Sequence, residues 1–260
     1  MKVEYINHYL TDNDIANAAR LSFNKKAANY TDEQNANLIR YLARGMQTKD
    51  WEAKINEILE MGINFTNNED IEGNDEKVKK QVHDFLTYMR NVPEHWVPFG
   101  HPHVTLHVQV PVPIARQLFK HKIGFVESEE SRRYVSETPT VFIPDEFRSA
   151  AANVKQGSGD KHRNSDFWKA SYESLASKSI QVYEDMIDDG VAPEQARFAL
   201  IQGVEVQWIW TGSLFALANV YNQRSDSHAQ KESQQVAKWI DEIAAPLYPV
   251  AWPALTRGQY

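Results

Sequence analysis

The chain has 260 residues with 42% hydrophobic and 24% charged side chains, enough length and apolar content to bury a sizeable core. It contains no cysteine, which excludes disulfides, thiolate metal sites, iron–sulfur clusters and thiol nucleophiles. A net charge of −7 argues against nucleic acid as a partner, and no apolar run approaches the ~20 residues needed to cross a bilayer. The opening MKVEYINHYL lacks the apolar core of a signal peptide, so a cytoplasmic location is the default expectation.

In chain order, residues 3–6 begin as a short strand, and Thr11 and Asp12 have the chemistry of an N-cap for a helix through Arg20. Thr31 and Gln34 have capping-box spacing ahead of Leu38, Ile39 and Leu42. A third helix is expected from about Trp51 to Met61. An exposed loop follows over Asn64 to Asp75, then an amphipathic helix marked by Val78, Val82, Phe85, Leu86 and Met89.

The period then changes. Val104, Leu106, Val108 and Val110 alternate with Thr105, His107 and Gln109, the pattern of a half-buried strand. Pro111 and Pro113 close it, and Ile114 to about Lys122 is helical in character. A second strand is expected at Thr140 to Ile143, and almost pure helix from about Asp166 onward. Gly190 stops one helix, Pro193 opens the next, and Thr211 to Ser213 breaks before an apolar helix over Leu214 to Tyr221. A last long helix starts near Asp226 or Ser227 and ends before Pro246. The pattern predicts an α+β fold, helix-rich, around a small, mainly antiparallel sheet built mainly from the middle of the chain.

The densest chemistry lies in residues 120–134. Lys120, Lys122, Arg132 and Arg133 supply four cations, with His121, the carboxylates Glu127, Glu129 and Glu130, and the hydroxyls Ser128 and Ser131. A solvated charged turn is one reading. The other is a phosphate site, since a hydroxyl beside two forked guanidiniums offers convergent donors, and Ile123 to Val126 suggest partial burial. Ser131 has no evident Ser-His-Asp partners, so it reads as a ligand rather than a nucleophile.

These residues resemble the signature of the flavin-dependent thymidylate synthases, Arg-His-Arg followed after seven or eight residues by Ser-x-Arg. Here Lys120-His121-Lys122 is followed after eight residues by Ser131-Arg132-Arg133. Four further blocks are similar in order: Ala18 to Phe23, Glu94 to His101, Ala115 to Phe119, and Arg224 to Gln230 with Glu232 and Gln234 following. Ala196-Arg197 matches the place of another family arginine. Lysines replace both signature arginines, Val97 stands in place of a threonine, and Ser213 and Phe215 stand where some members carry Asn and Arg. Residues from about 44 to 89 read as a helical insertion into an otherwise single domain spanning 1–260.

The resemblance implies reductive methylation of dUMP to dTMP. Its carbon donor would be 5,10-methylenetetrahydrofolate, its redox cofactor FAD and its reductant NADPH, with tetrahydrofolate as the folate product. It implies that Gln117, Lys120, Glu129, Glu130, Ser131, Arg132, Arg133, Arg197 and Arg224 contact dUMP, with Arg224 the catalytic arginine. FAD would lie along His95, Val97, Lys120, His121, Lys122, Glu129, Ser213, Asn219 and His228. It implies a homotetramer with sites shared between subunits, and no metal. Two other readings stay open on the residues alone: a homologue that binds nucleotide or flavin with impaired catalysis, and a helix-rich interaction or nucleic-acid module using the same basic cluster.

Overall fold

The computed structural model describes residues 1–24, 30–44, 80, 83, 95–135, 137–151 and 157–257. The expected helices at 51–61 and 78–89, the loop between them and most of the 44–89 insertion lie outside the described residues. The chain divides into two compact units, one of Met1–Tyr9 with His103–Ala244 and one of Leu10–Pro102 with Ala245–Tyr260.

The first unit is built on a four-stranded antiparallel sheet, β1 (Lys2–Tyr9), β2 (His103–Pro111), β3 (Phe125–Glu129) and β4 (Glu205–Ser213), in the spatial order β1-β2-β4-β3. The alternation read in β2 sets its inward face. Val104, Leu106, Val108 and Val110 are fully buried, and Leu106 and Val108 sit opposite Trp210 and Trp208 of β4. The other face is polar and cross-linked: the Thr105 and Thr211 hydroxyls meet at 3.0 Å, and Gln109 donates to Glu205 at 2.7 Å. The N-terminal ammonium also ends on Glu205, at 2.5 Å.

Two glycines are required by this geometry. A side chain at Gly212 would put its Cβ 2.2 Å from the Phe125 ring, which stacks on Trp210 at 4.2 Å. Gly124 turns the chain into β3 at φ +80°, a left-handed conformation that a side chain disfavours.

Around the sheet lie α4 (Val112–Leu118), α5 (Ser165–Asp188), α6 (Pro193–Ala196), α7 (Leu214–Arg224) and α8 (Lys231–Leu247), the last ending in the second unit. On α5 one stripe is buried, Ala176, Ser179 and Tyr183, at helical spacing. Ser179 both donates to the Ala199 carbonyl and accepts from the Ile201 amide, tying α5 to the turn that follows α6. Ser213 caps α7 by accepting from the Ala216 amide at 3.2 Å.

The second unit contains α1 (Asp12–Leu21), α2 (Asp32–Ala43), the short α3 (Val97–Gly100) and α9 (Ala251–Arg257). Both expected N-termini are found: the Thr11 amide donates to Asp14, and Thr31 and Gln34 satisfy one another's backbone amides reciprocally. Asp12 in turn accepts from the amides of Val250 and Ala251 at the start of α9, and its carboxyl is raised because burial outweighs those bonds. Trp252, Ala254 and Leu255 are buried beside Ile39 and Leu42 in this unit's core.

The mixed helical and antiparallel architecture agrees with the sequence reading; several element assignments do not. Thr140 to Ile143 is no strand. It makes a single bridge, Val141 to Val204, because Pro139 and Pro144 close off both ends of the pairing. The region after Asp166 is not all helix, since β4 pairs along its whole length at the centre of the sheet. β3 also forms within what read as a charged run. Ile123 and Val126, expected to be partly buried, are 92% and 68% exposed, because β3 is an edge strand and only Phe125 of this group packs inward. The last long helix starts at Lys231 rather than near Asp226, and it continues one residue past Pro246.

Candidate active site

The signature segment follows α4. Gln117 is on the helix, while Lys120, His121 and Lys122 follow its end and lead through Gly124 into β3. α4 exposes its last carbonyls as any helix does, and Arg224, the last residue of α7, uses one of them. Its Nη2 donates to the Gln117 carbonyl at 3.0 Å and its Nε to Nε2 of His121 at 3.0 Å. Since His121 Nε2 accepts, the ring proton belongs on Nδ1. Burial and the adjacent Arg224 charge hold the His121 imidazole down to about 4, so it is neutral near pH 7. The guanidinium is lowered from its ordinary value by burial alone. Nη1 of Arg224 has no partner among the described residues.

In the same unit a groove of about 420 Å³ is lined by Glu129, Glu130, Ser131, Arg132 and Arg197, with Arg116 and Phe198, and Arg224 and His121 are not among its lining residues. Glu129 and Glu130 are carried there by β3 and the residue after it, where Glu130 is fixed to Gln207 of β4 through its own amide (2.9 Å) and its carboxylate (2.6 Å). The Glu129 carboxyl is raised by partial burial and then by the like charge of Glu127. Arg132 donates to the Glu137 carbonyl, and Arg197, exposed, is steadied by the Glu194 carbonyl at 3.1 Å. The groove thus gathers five of the residues named for dUMP.

The remaining residues are placed otherwise. Arg133 turns to the Glu194 carboxylate at 3.3 Å and lies over Tyr134. Gln117 commits its side-chain amide inside the fold, to Gln230 and Ser233. Lys120 is exposed, and Lys122 pairs with Glu127 while lying over the Phe119 ring. Ser213 is buried, Asn219 is half-buried on α7, and His228 is exposed and paired with Asp226 at 2.9 Å.

His95 and Val97 belong to the second unit, where with Ala18, Arg20, Ser22, Phe23 and His101 they line a cavity of about 770 Å³. Two sequence blocks far apart in the chain therefore face one space. Its buried cation, Arg20, is held by Asn35 and by the Tyr30 ring at 3.8 Å. Glu94 lies outside the described residues. Arg116, in the Ala115–Phe119 segment, also lines the groove although the sequence reading did not single it out; its charge beside Gln117 is the local signal for it. Among the described residues no group of three or more His, Asp or Glu could hold a metal ion, and no helix is long and apolar enough to cross a membrane.

Residues 47–250 match the family model described as thymidylate synthase complementing protein. The flavin-dependent thymidylate synthase of Thermosipho africanus is 36% identical over 168 residues, covering 64% of this chain and 73% of that protein. The chain belongs to this family. It is accordingly an enzyme of the flavin-dependent thymidylate synthase family, the methyltransferase class that the signature implied. The Thermotoga neapolitana flavin-dependent thymidylate synthase is 31% identical over 186 residues, covering 72% of this chain and 80% of that one. Among solved structures, the UMP/dUMP methylase PolB from Streptomyces cacaoi, bound with 5-Br dUMP, matches with a TM-score of 0.71 at 21% identity. The match covers 98% of this chain and 94% of that one, and at this identity it speaks for the fold.

Proposed function

We propose that the chain converts dUMP to dTMP, taking the one-carbon unit from 5,10-methylenetetrahydrofolate and reducing equivalents from NADPH through bound FAD, and releasing tetrahydrofolate. The observation that carries this reading is Arg224, whose guanidinium is fixed on two sides by His121 and the Gln117 carbonyl and keeps Nη1 uncommitted. A positioned guanidinium can stabilise negative charge developing on the pyrimidine at N3, which makes C5 a nucleophile without any thiol. That matches a chain with no cysteine.

Phosphate and sugar recognition falls to the groove. Ser131, Arg132 and Arg197 bring hydroxyl and guanidinium donors to its lining, and charge-assisted contacts of that kind suit a phosphate. Lys120, Glu129, Glu130 and Arg133 complete the proposed dUMP set, and Gln117, whose side-chain amide is committed to Gln230 and Ser233, joins it through the backbone carbonyl that holds Arg224. Glu130 is rigid through Gln207, so it holds the wall of the groove in place.

The residues proposed for FAD are His95, Val97, Lys120, His121, Lys122, Glu129, Ser213, Asn219 and His228. Their chemistry fits a dinucleotide: exposed ammonium groups at Lys120 and Lys122 suit phosphates, while the neutral His121 ring and the side chains of Ser213 and Asn219 suit a flat polar ring system. FAD, when bound, supplies hydride originating from NADPH. We further propose a homotetramer sharing its sites between subunits, acting in the cytoplasm.

The test is spectroscopic. Purified protein should carry a flavin absorbance that NADPH bleaches and that shifts when dUMP is added. A colourless protein that stays colourless with excess FAD refutes the reading.

A further inference from the structure

A line of hydrogen bonds runs from Arg224 into the interior of the first unit and ends on an ion pair that the chemistry above does not use. The Gln117 carbonyl and the His121 ring, the two acceptors of Arg224, lie on one short strap, residues 117–121. That strap is tied down through the Gln117 side chain. Gln117 Nε2 donates to Gln230 Oε1 at 2.7 Å, and Gln117 Oε1 accepts from the Ser233 hydroxyl at 2.9 Å. Gln230 Nε2 donates to one oxygen of Glu232 at 2.8 Å, and Arg148 Nη2 donates to the other at 2.6 Å. Arg148 is itself fixed by Ser158, which accepts from its Nε at 2.6 Å. Both charged side chains are mostly buried, 14% and 12% exposed.

The direction of every bond follows from Glu232. A carboxylate only accepts, so Gln230 must turn its NH₂ toward Glu232 and its carbonyl toward Gln117. Gln117 must then present its own NH₂ to Gln230 and its carbonyl to the Ser233 hydroxyl. Glu232 uses both oxygens, and a side-chain amide in its place would offer only one acceptor to two donors. Burial alone would raise this carboxyl, but the Arg148 bond and charge, its own backbone amide and Gln230 together hold it below the ordinary range.

Resting on the function proposed above, we propose that Arg148, Glu232 and Gln230 are positioning residues, a polar relay that orients Gln117 and thereby fixes the strap on which Arg224 is aimed. None of the three touches the arginine. Their effect on turnover comes from geometry alone, and misplacement on the ångström scale is enough to cost about 100-fold in rate.

The experiment compares Glu232→Gln, Gln230→Met and Arg148→Lys in the full chain. Gln230→Met cuts the relay while leaving the buried ion pair intact, so it decides the question should Glu232→Gln fail to fold. Glu232→Gln and Gln230→Met should lower kcat about 100-fold, with KM for dUMP within about threefold of the parent. Arg148→Lys, which keeps a charged donor for Glu232, should retain most of kcat. A second readout needs no turnover: in ¹⁵N-histidine-labelled protein, His121 should show the Nδ1–H tautomer, and Gln230→Met should convert it to the mixture of a free imidazole. Parent kcat in Gln230→Met, an unchanged His121 tautomer there, or a lower melting temperature with kcat intact would overturn the relay. A parent protein that makes no dTMP refutes the enzymatic reading instead, and the His121 signals still judge the relay.

Discussion

Arg224 donates its Nε–H to Nε2 of His121 across 3.0 Å, joining the end of one helix to the loop after another, 103 residues away in sequence. That contact requires a neutral imidazole and a charged guanidinium together. It gives the signature histidine a role as an acceptor for the arginine, alongside any contact with cofactor.

Arg224→Ala removes the guanidinium and leaves the His121 and Gln117 acceptors facing solvent. Loss of one preorganised donor to developing charge costs about 10²–10³ in kcat. Turnover should therefore nearly vanish while the flavin spectrum of the purified variant stays that of the parent. Steady-state dTMP formation together with the visible spectrum checks both halves.

His121 titrates low, at about 4, from burial first and the Arg224 charge second. Its folded value lies below its ordinary 6.5, so between pH 6.5 and 4 the unfolded chain binds a proton that the folded chain does not. The contribution of this group to stability is thus full above pH 6.5 and is lost as pH falls toward 4. Denaturant midpoints measured from pH 7 to 5 should fall for the parent, and fall less for His121→Gln.

Arg132 and Arg197 face one groove with Ser131. If they hold a phosphate, Arg132→Ala and Arg197→Ala should each raise KM for dUMP roughly tenfold or more, since hydrogen bonds to charged groups are worth about 1.5–3 kcal/mol. Their effect on kcat should be smaller. The same kinetics with deoxyuridine in place of dUMP should show little difference between parent and variants.

Gly212→Ala would place a methyl 2.2 Å from the Phe125 ring and force that ring off Trp210. Overpacking of this kind costs about 1–3 kcal/mol. A lower melting temperature is expected, with β3 and its Glu129 displaced from the groove, so KM for dUMP should rise as well.

What was legible in the sequence was written in local chemistry. Thr11, Thr31, Gly190 and Pro193 mark helix boundaries because capping and φ restriction act within a few residues, and the valines of β2 reveal their face by simple alternation. β4 escaped because Ile209 interrupts the alternation of Trp208 and Trp210 and because helical sequence flanks it on both sides. β3 escaped because it is five residues of an edge strand, three of them polar or charged, whose pairing partner lies some eighty residues further on. The signature itself was visible as charge density. The Arg148–Glu232 pair was not, since its members are 84 residues apart and nothing in either local sequence points to the other.

The central claim is that this chain makes dTMP without a thiol, drawing its reducing equivalents from flavin rather than from folate. Product analysis after incubating the purified protein with dUMP, 5,10-methylenetetrahydrofolate, FAD and NADPH tests it directly. The expected result is dTMP and tetrahydrofolate in equal amounts with matching NADPH oxidation. Dihydrofolate as the folate product, or no dTMP at all, would contradict it.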